Sequence, residues 1–161
     1  MPLKLRFSVI AALMAFFIAG NLPAAADAPQ DDKSAIQWHS YEKGMEKIKQ
    51  SGKKGFLHFY TDWCSYCKLM DEKTFSDKNV ADYMNGNFVA MRVNAEKEKQ
   101  IAGKYRANRF PFNWFINEQS DPIGSQPGYI PPQQMVHMLK YVGTESYEKM
   151  KFSEFVESQE Q

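Results

Sequence analysis

The chain has 161 residues, with 20 Lys and Arg against 19 Asp and Glu and with two cysteines. So small a charge imbalance excludes the basic excess of a nucleic-acid binder, and two thiols are too few for a disulfide-stapled scaffold. The length suits one ordinary domain with a single core.

Lys4 and Arg6 form a short basic start, Val9 to Ala19 is an unbroken apolar or small run, and Ala24-Ala25-Ala26 supplies small residues. This order predicts a cleavable secretory signal over residues 1–26 and, in a Gram-negative source, delivery to the periplasm. A lasting membrane anchor is not expected: spanning takes about 20 apolar residues, and this run breaks at Gly20, Asn21 and Pro23. Loss of Lys4 and Arg6 leaves a slight acidic excess. Residues 27–35 are polar and predict a flexible N-terminal arm.

Trp38, Tyr41, Met45 and Ile48 recur at helical spacing, with Ser40 as a cap and Gly52 as a stop. GFLHFY, 55–60, is apolar on both alternating faces and predicts a central buried strand. Beyond the cysteines, Val80, Tyr83 and Met84 form a second helical stripe, capped by Ser76 or Asp77 and ended by Asn85-Gly86. FVAMRVN, ending at Asn94, predicts another strand, and Asn94 is expected to cap a short helix carrying Ile101 and Tyr105. FNWFIN, 112–117, and IGSQPGYI, 123–130, flank a turn-rich stretch and predict an antiparallel hairpin. Pro131-Pro132 suit a helix start, with Met135, Val136, Met138, Leu139 and Val142 on its buried face. From Glu145 to Val156, a less regular stripe predicts one extra amphipathic helix. Strands alternating with helices and closing in a hairpin imply an α/β fold whose mixed central sheet is flanked by helices on both faces.

The two cysteines stand three apart in TDWCSYCKLM, 61–70, where the central strand runs into a helix. A cysteine at a helix N-terminus meets unpaired N–H groups and the positive end of the helix dipole, which lower a thiol pKa from about 8.5 to roughly 3.5–7.5. Cys64 is therefore the expected exposed nucleophile. Cys67 lies one turn on, within reach to bond Cys64 or to attack a mixed disulfide formed there. Structural zinc wants four ligands, and His39, His58 and His137 are scattered. Haem attachment wants His after the second cysteine, where Lys68 stands. A structural bridge over two residues would close too small a loop to remove much unfolded-chain entropy. The pattern therefore favours a redox couple with no cofactor and no metal, while a copper(I) site of two thiolates stays open.

The segments FYTDWCSYCKLMDEKTFSD, FVAMRVN and RFPFNWFIN, with Gly128 ahead of the last core helix, resemble the thioredoxin superfamily. Within it the pattern is similar to exported thioredoxin-like proteins and to the C-terminal domain of the membrane thiol-disulfide interchange protein. The resemblance covers about residues 36–142, with 143–161 as a C-terminal helical extension outside it. It implies a thioredoxin-like fold and a thiol-disulfide oxidoreductase, with Cys64 attacking, Cys67 resolving, and Cys64–Cys67 as the redox disulfide. It also implies protein disulfides as substrates and a membrane electron carrier as partner. Trp63 matches the family's tryptophan beside the site, and Pro111 matches its cis-proline. Phe110 would add to the substrate groove. For Pro111, a trans-proline that ends the preceding helix suits the sequence equally.

Three departures bear on function. His58 stands where thioredoxins carry a buried acid, and is expected either to tune or accept the proton of Cys67 or to be a satisfied core histidine. Phe110 and Phe112 make the neighbourhood of Pro111 aromatic. Ser65-Tyr66 between the cysteines adds no positive charge, so a strongly oxidising couple is not expected. The alternatives are an oxidase or isomerase, a peptide-binding module with incidental cysteines, or a copper(I)-handling protein.

Overall fold

A computed structural model describes residues 35–160. The signal over 1–26 and all but the last residue of the 27–35 arm lie outside the described residues. The element order is β1 (Trp38–His39), α1 (Tyr41–Ser51), β2 (Lys54–Tyr60), α2 (Ser65–Met70), α3 (Lys78–Asn87), β3 (Phe88–Asn94), α4 (Lys99–Lys104), β4 (Phe112–Ile116), β5 (Pro122–Pro127), α5 (Pro132–Gly143) and α6 (Phe152–Gln159). A π-helical turn, Asp71–Phe75, continues α2, and a 3-10 turn, Ser146–Glu148, precedes α6.

The five strands form one mixed sheet in the order β1-β3-β2-β4-β5. β1 and β2 pair parallel with β3, while β4 runs antiparallel to both β2 and β5. Alternation along β2 sends Phe56 to one core and Leu57 and Phe59 to the other. The first core is completed by α2, the π turn, α3 and α5 through Met70, Phe75, Val80, Met84, Met135 and Leu139. The second is covered by α1 and α4 through Ile48 and Ala102. Since β2 is buried on both faces, it reads as a near-continuous apolar run, and His58 stands out within it.

Local chemistry sets the helix ends. The Ser40 hydroxyl accepts from the Lys43 N–H, and Gly52 closes α1 in the left-handed region at φ 63°. Asp77 is the cap of α3, accepting from the Asn79 and Val80 N–H groups. A Cβ on Gly44 would overlap the Met91 side chain, so a glycine there lets α1 settle onto β3.

Four expectations are corrected. Trp38 belongs to β1 rather than to the first helix: Ser40 is already extended, so the helical spacing from Trp38 to Tyr41 is coincidental. Asn94 caps the turn that follows β3, accepting from the Glu96 and Lys97 N–H groups, and α4 starts five residues later with Glu98 at its N-cap position. α3 runs through Gly86 to Asn87. The C-terminal stripe is broken into the 3-10 turn and α6, because Glu145 adopts a left-handed φ of 57° and the chain is extended at Lys151. Around this extension, Tyr141 of α5 packs on Tyr147, Phe152 and Phe155, and its hydroxyl donates to the Met150 carbonyl.

Candidate active site

β2 ends at Tyr60, and four residues later the chain enters α2 with Cys64 as its N-cap. The Cys64 sulfur accepts from the Cys67 backbone N–H at 3.1 Å, so one of the helix's otherwise unpaired donors is aimed at it. Cys64 and Cys67 are joined in a disulfide, with Cα atoms 5.2 Å apart. The expected exposure of Cys64 is corrected: it is 4% exposed and Cys67 2%, because the sulfur at the cap turns inward over the first helical turn.

Trp63, by contrast, is 68% exposed. Its ring meets Phe110 edge-on at 6.3 Å, and its Nε1–H donates to the Glu96 carboxylate at 3.0 Å. The Phe110–Pro111 peptide bond is cis, and the Pro111 carbonyl accepts from Gly128 N–H, a residue held at φ 87°. Trp63, which precedes Cys64, is thus in contact with Phe110, and Pro111 follows Phe110 through the cis bond. Asp62 is drawn into the same loop clamp: its carboxylate accepts from Asn94 Nδ2 and pairs with Lys97.

His58 is fully buried. Its register partner across β4 is Asn113, whose Nδ2 donates to the Gln126 carbonyl, which turns Oδ1 toward the imidazole. His58 Nδ1 therefore carries the proton and donates to Asn113 Oδ1 at 2.8 Å, leaving Nε2 as a buried acceptor without a partner among the described residues. Burial pushes the His58 pKa down to about 3, with Asn113 working against the shift and the Arg92 guanidinium adding to it. The Arg92 guanidinium lies over the rings of Trp38 and Tyr60 and donates to Asp71. Thr61 Oγ1, three residues before Cys64, is a second buried polar atom without a partner. Among the described residues no group of three or more His, Cys, Asp or Glu could hold a metal ion.

The thioredoxin-like domain model matches residues 41–143. The chain belongs to that family. It is 29% identical over 89 residues to the thiol:disulfide interchange protein DsbD of Photorhabdus laumondii, covering 53% of this chain and 15% of that one. It is 26% identical over 121 residues to the uncharacterized protein B0495.5 of Caenorhabditis elegans, covering 70% of this chain and 16% of that one. These curated relatives are thus several times longer than the stretch they share. Among solved structures, a thioredoxin from Thermus thermophilus superposes with a TM-score of 0.62 at 21% identity, covering 67% of this chain and 87% of that one. The thioredoxin-like fold with its Cys64–Cys67 pair is the disulfide-oxidoreductase type, and the segment from Thr144 onward lies beyond the matched domain.

Sequence reasoning missed the side chains that hold this thioredoxin-like site in place: Asp62, Asn94 and Glu96 around Trp63, and Asn113 behind His58. Asn113 left a signal, a lone polar residue amid the aromatic FNWF of a buried strand. The others sit in turns, where polar residues are ordinary.

Proposed function

We propose that this protein is an exported thiol-disulfide oxidoreductase that reduces protein disulfides in the periplasm through Cys64 and Cys67. The observation that carries the reading is the Cys64 sulfur at the N-cap of α2, within 3.1 Å of the Cys67 N–H. A donor in that position favours a thiolate over a thiol. In the reduced protein, Cys64 thiolate attacks one sulfur of a substrate disulfide; that S–S bond breaks, and the departing thiolate takes up a proton. Cys67, once deprotonated, attacks the Cys64 sulfur of the mixed disulfide and expels the second substrate thiolate. The substrate gains two electrons and two protons, and the Cys64–Cys67 disulfide is the oxidised product.

His58 would act on Cys67 by accepting a hydrogen bond. A histidine with a pKa near 3 is neutral at working pH and a poor store for a proton, whereas its unpartnered Nε2 is a ready acceptor. Trp63, Phe110 and Pro111 would form the groove that receives the substrate. Export is supported by the basic start, apolar run and alanine triplet of residues 1–26. The likeness to an interchange protein supports a membrane electron carrier as the source of reducing equivalents. The reducing direction is supported by that likeness and by the uncharged Ser65-Tyr66 between the cysteines.

The test pairs activity with direction. With dithiothreitol as reductant the protein should accelerate insulin reduction, and Cys67→Ala should accumulate a mixed disulfide through Cys64. In the periplasm of growing cells the couple should be held mostly as dithiol. Failure of both the insulin assay and the trap would overturn the catalytic reading; an oxidised couple in cells would reverse the direction.

A further inference from the structure

Away from the cysteines, β5, α5 and the C-terminal extension border a cavity of about 400 Å³, a size that suits a small-molecule site. Phe115, Met138 and Tyr141 supply apolar wall from β4 and α5, and Tyr147 and Phe152 face it from the extension. Tyr141 packs on both of the latter, with ring centroids 6.4 Å and 5.3 Å away. The matched thioredoxin-like domain ends at residue 143, so one wall of this cavity is an addition to that domain.

A glycine keeps the cavity as large as it is. Phe115 is buried in the first core, and its register partner on β5 is Gly124. Partners across an antiparallel pair share a face, so position 124 points inward, toward the core. A Cβ built there would meet nothing within 4 Å. Close approach of another segment therefore does not call for this glycine, as it does at Gly44, and neither does a left-handed φ, as it does at Gly52. The neighbouring bulge leaves Ile123 unpaired and gives no reason for it either. A strand glycine without those reasons marks a place where a ligand comes close to the backbone.

The lining also sets the chemistry of that ligand. Among the described residues none that borders the cavity is charged, so an ionised group would be desolvated there without a counter-charge, a costly arrangement. Ser125 and Gln134 also border it, and neither side chain spends its hydrogen-bonding groups on another described residue. We propose that this cavity is a binding site for an uncharged, largely apolar small molecule that carries one hydrogen-bonding group. The site is separate from the disulfide and does not rest on the exchange reading.

The test uses 1-naphthol and 1-naphthoate, which share a ring system and differ in charge at pH 7. Each is titrated into the oxidised protein and followed by backbone amide NMR. 1-Naphthol should bind saturably and shift the amides of Gly124, Ser125 and Tyr147 most, and 1-naphthoate should bind at least about tenfold more weakly. Gly124→Phe places a ring in the same space and should weaken 1-naphthol by about tenfold or more, with no fall in thermal midpoint, since the new side chain enters room that is already there. If that variant does not fold, Gly124→Val, smaller and a good strand former, takes its place. The proposal is overturned if 1-naphthol binds elsewhere or without saturation, if it binds no better than 1-naphthoate, or if it binds the folded variant as tightly as the wild type. The outcome of the insulin assay bears on none of these readings.

Discussion

The two ends of β2 handle buried polar groups in opposite ways. At its start, Lys54 is a buried cation with two carboxylates on it, Glu118 at 2.5 Å from the β4–β5 turn and Glu145 at 2.9 Å from the C-terminal extension. Toward its end, His58 and Thr61 each bury a polar atom that has no partner among the described residues. Where every demand is met, the strand is a fastening; three segments distant in sequence converge on one ammonium. Where demands are left open, the strand runs on into Cys64 and Cys67, and on the role proposed for His58 the reduced thiols would supply the missing donor. Unsatisfied buried groups are uncommon in folded proteins; the other two among the described residues are Nε of Arg92, the register partner of His58 on β3, and Oγ of Ser120 in the β4–β5 turn, so open demands gather toward the cysteine end without being confined to it.

The most direct way to break this contrast is to titrate it. His58 has a folded pKa of about 3 against about 6.5 in the unfolded chain, so the unfolded state binds more protons between those values. Stability is therefore full above about pH 6.5 and is lost as pH falls toward 3, by at most about 1.4 kcal/mol per pH unit, or about 4 kcal/mol across the window. His58→Phe keeps an aromatic ring among Trp38, Tyr60 and Phe75 and should flatten that slope, at a cost of about 1–3 kcal/mol at pH 7 for the orphaned Asn113 oxygen. Urea unfolding of the oxidised protein at pH 7 and pH 4.5 reads both effects; an unchanged slope in the variant would show that His58 does not resist protonation.

The other end should answer to charge. Burial alone would lower the Lys54 pKa, but its bonds to Glu118 and Glu145 raise it, so the ion pairs outweigh desolvation. Lys54→Met leaves two carboxylates that can turn partly to solvent, which holds the loss below that of a sealed pair, at about 2–3 kcal/mol. The extension should loosen first, seen as faster amide exchange in α6 than in α5. Equal exchange in both helices would mean that Tyr141 and its aromatic neighbours hold the extension without Lys54.

Much of this was legible in the sequence because it rests on local rules. The Ser40 cap, an α3 cap at Ser76 or Asp77, the stop at Gly52, the hairpin around the 117–122 turn and the doubly buried β2 all follow from spacing and composition. Two-residue β1 was not legible, since Trp38 happens to fall three before Tyr41, and a pair of residues has no period to detect. The site was legible along the chain and not across it. Cys64, Cys67, Trp63 and Pro111 announce themselves by order, but the inward turn of Cys64 comes from cap geometry, and the hold of Glu96 on Trp63 spans 33 residues. Nothing local in the sequence marks Lys54 as buried; the return of Glu118 and Glu145 to the start of β2 is what pairs it there.

That hold on Trp63 offers the smallest and sharpest test. The turn after β3 grips the loop before Cys64 at three points: Asn94 to Asp62, Lys97 to Asp62, and Glu96 to Trp63. Asn94 is buried and also caps the turn itself, so changing it would damage the fold, whereas Glu96 is exposed and its side chain reaches only the indole. Glu96→Ala removes one charge-assisted hydrogen bond at the surface, which should cost no more than about 1 kcal/mol of stability. Its effect should appear instead in the ring. With the carboxylate gone the indole is held by the edge contact with Phe110 alone, so tryptophan side-chain NMR should show increased motion at Trp63, with Trp38 and Trp114 unaffected. Insulin reduction should slow about two- to fivefold if a fixed wall beside the disulfide orients the incoming substrate. Glu96→Gln still presents an acceptor oxygen to the indole N–H and should recover most of the rate. A mobile Trp63 with an undiminished rate would mean that the wall need not be rigid, and that the aromatic surface matters at this end of β2 only for its area.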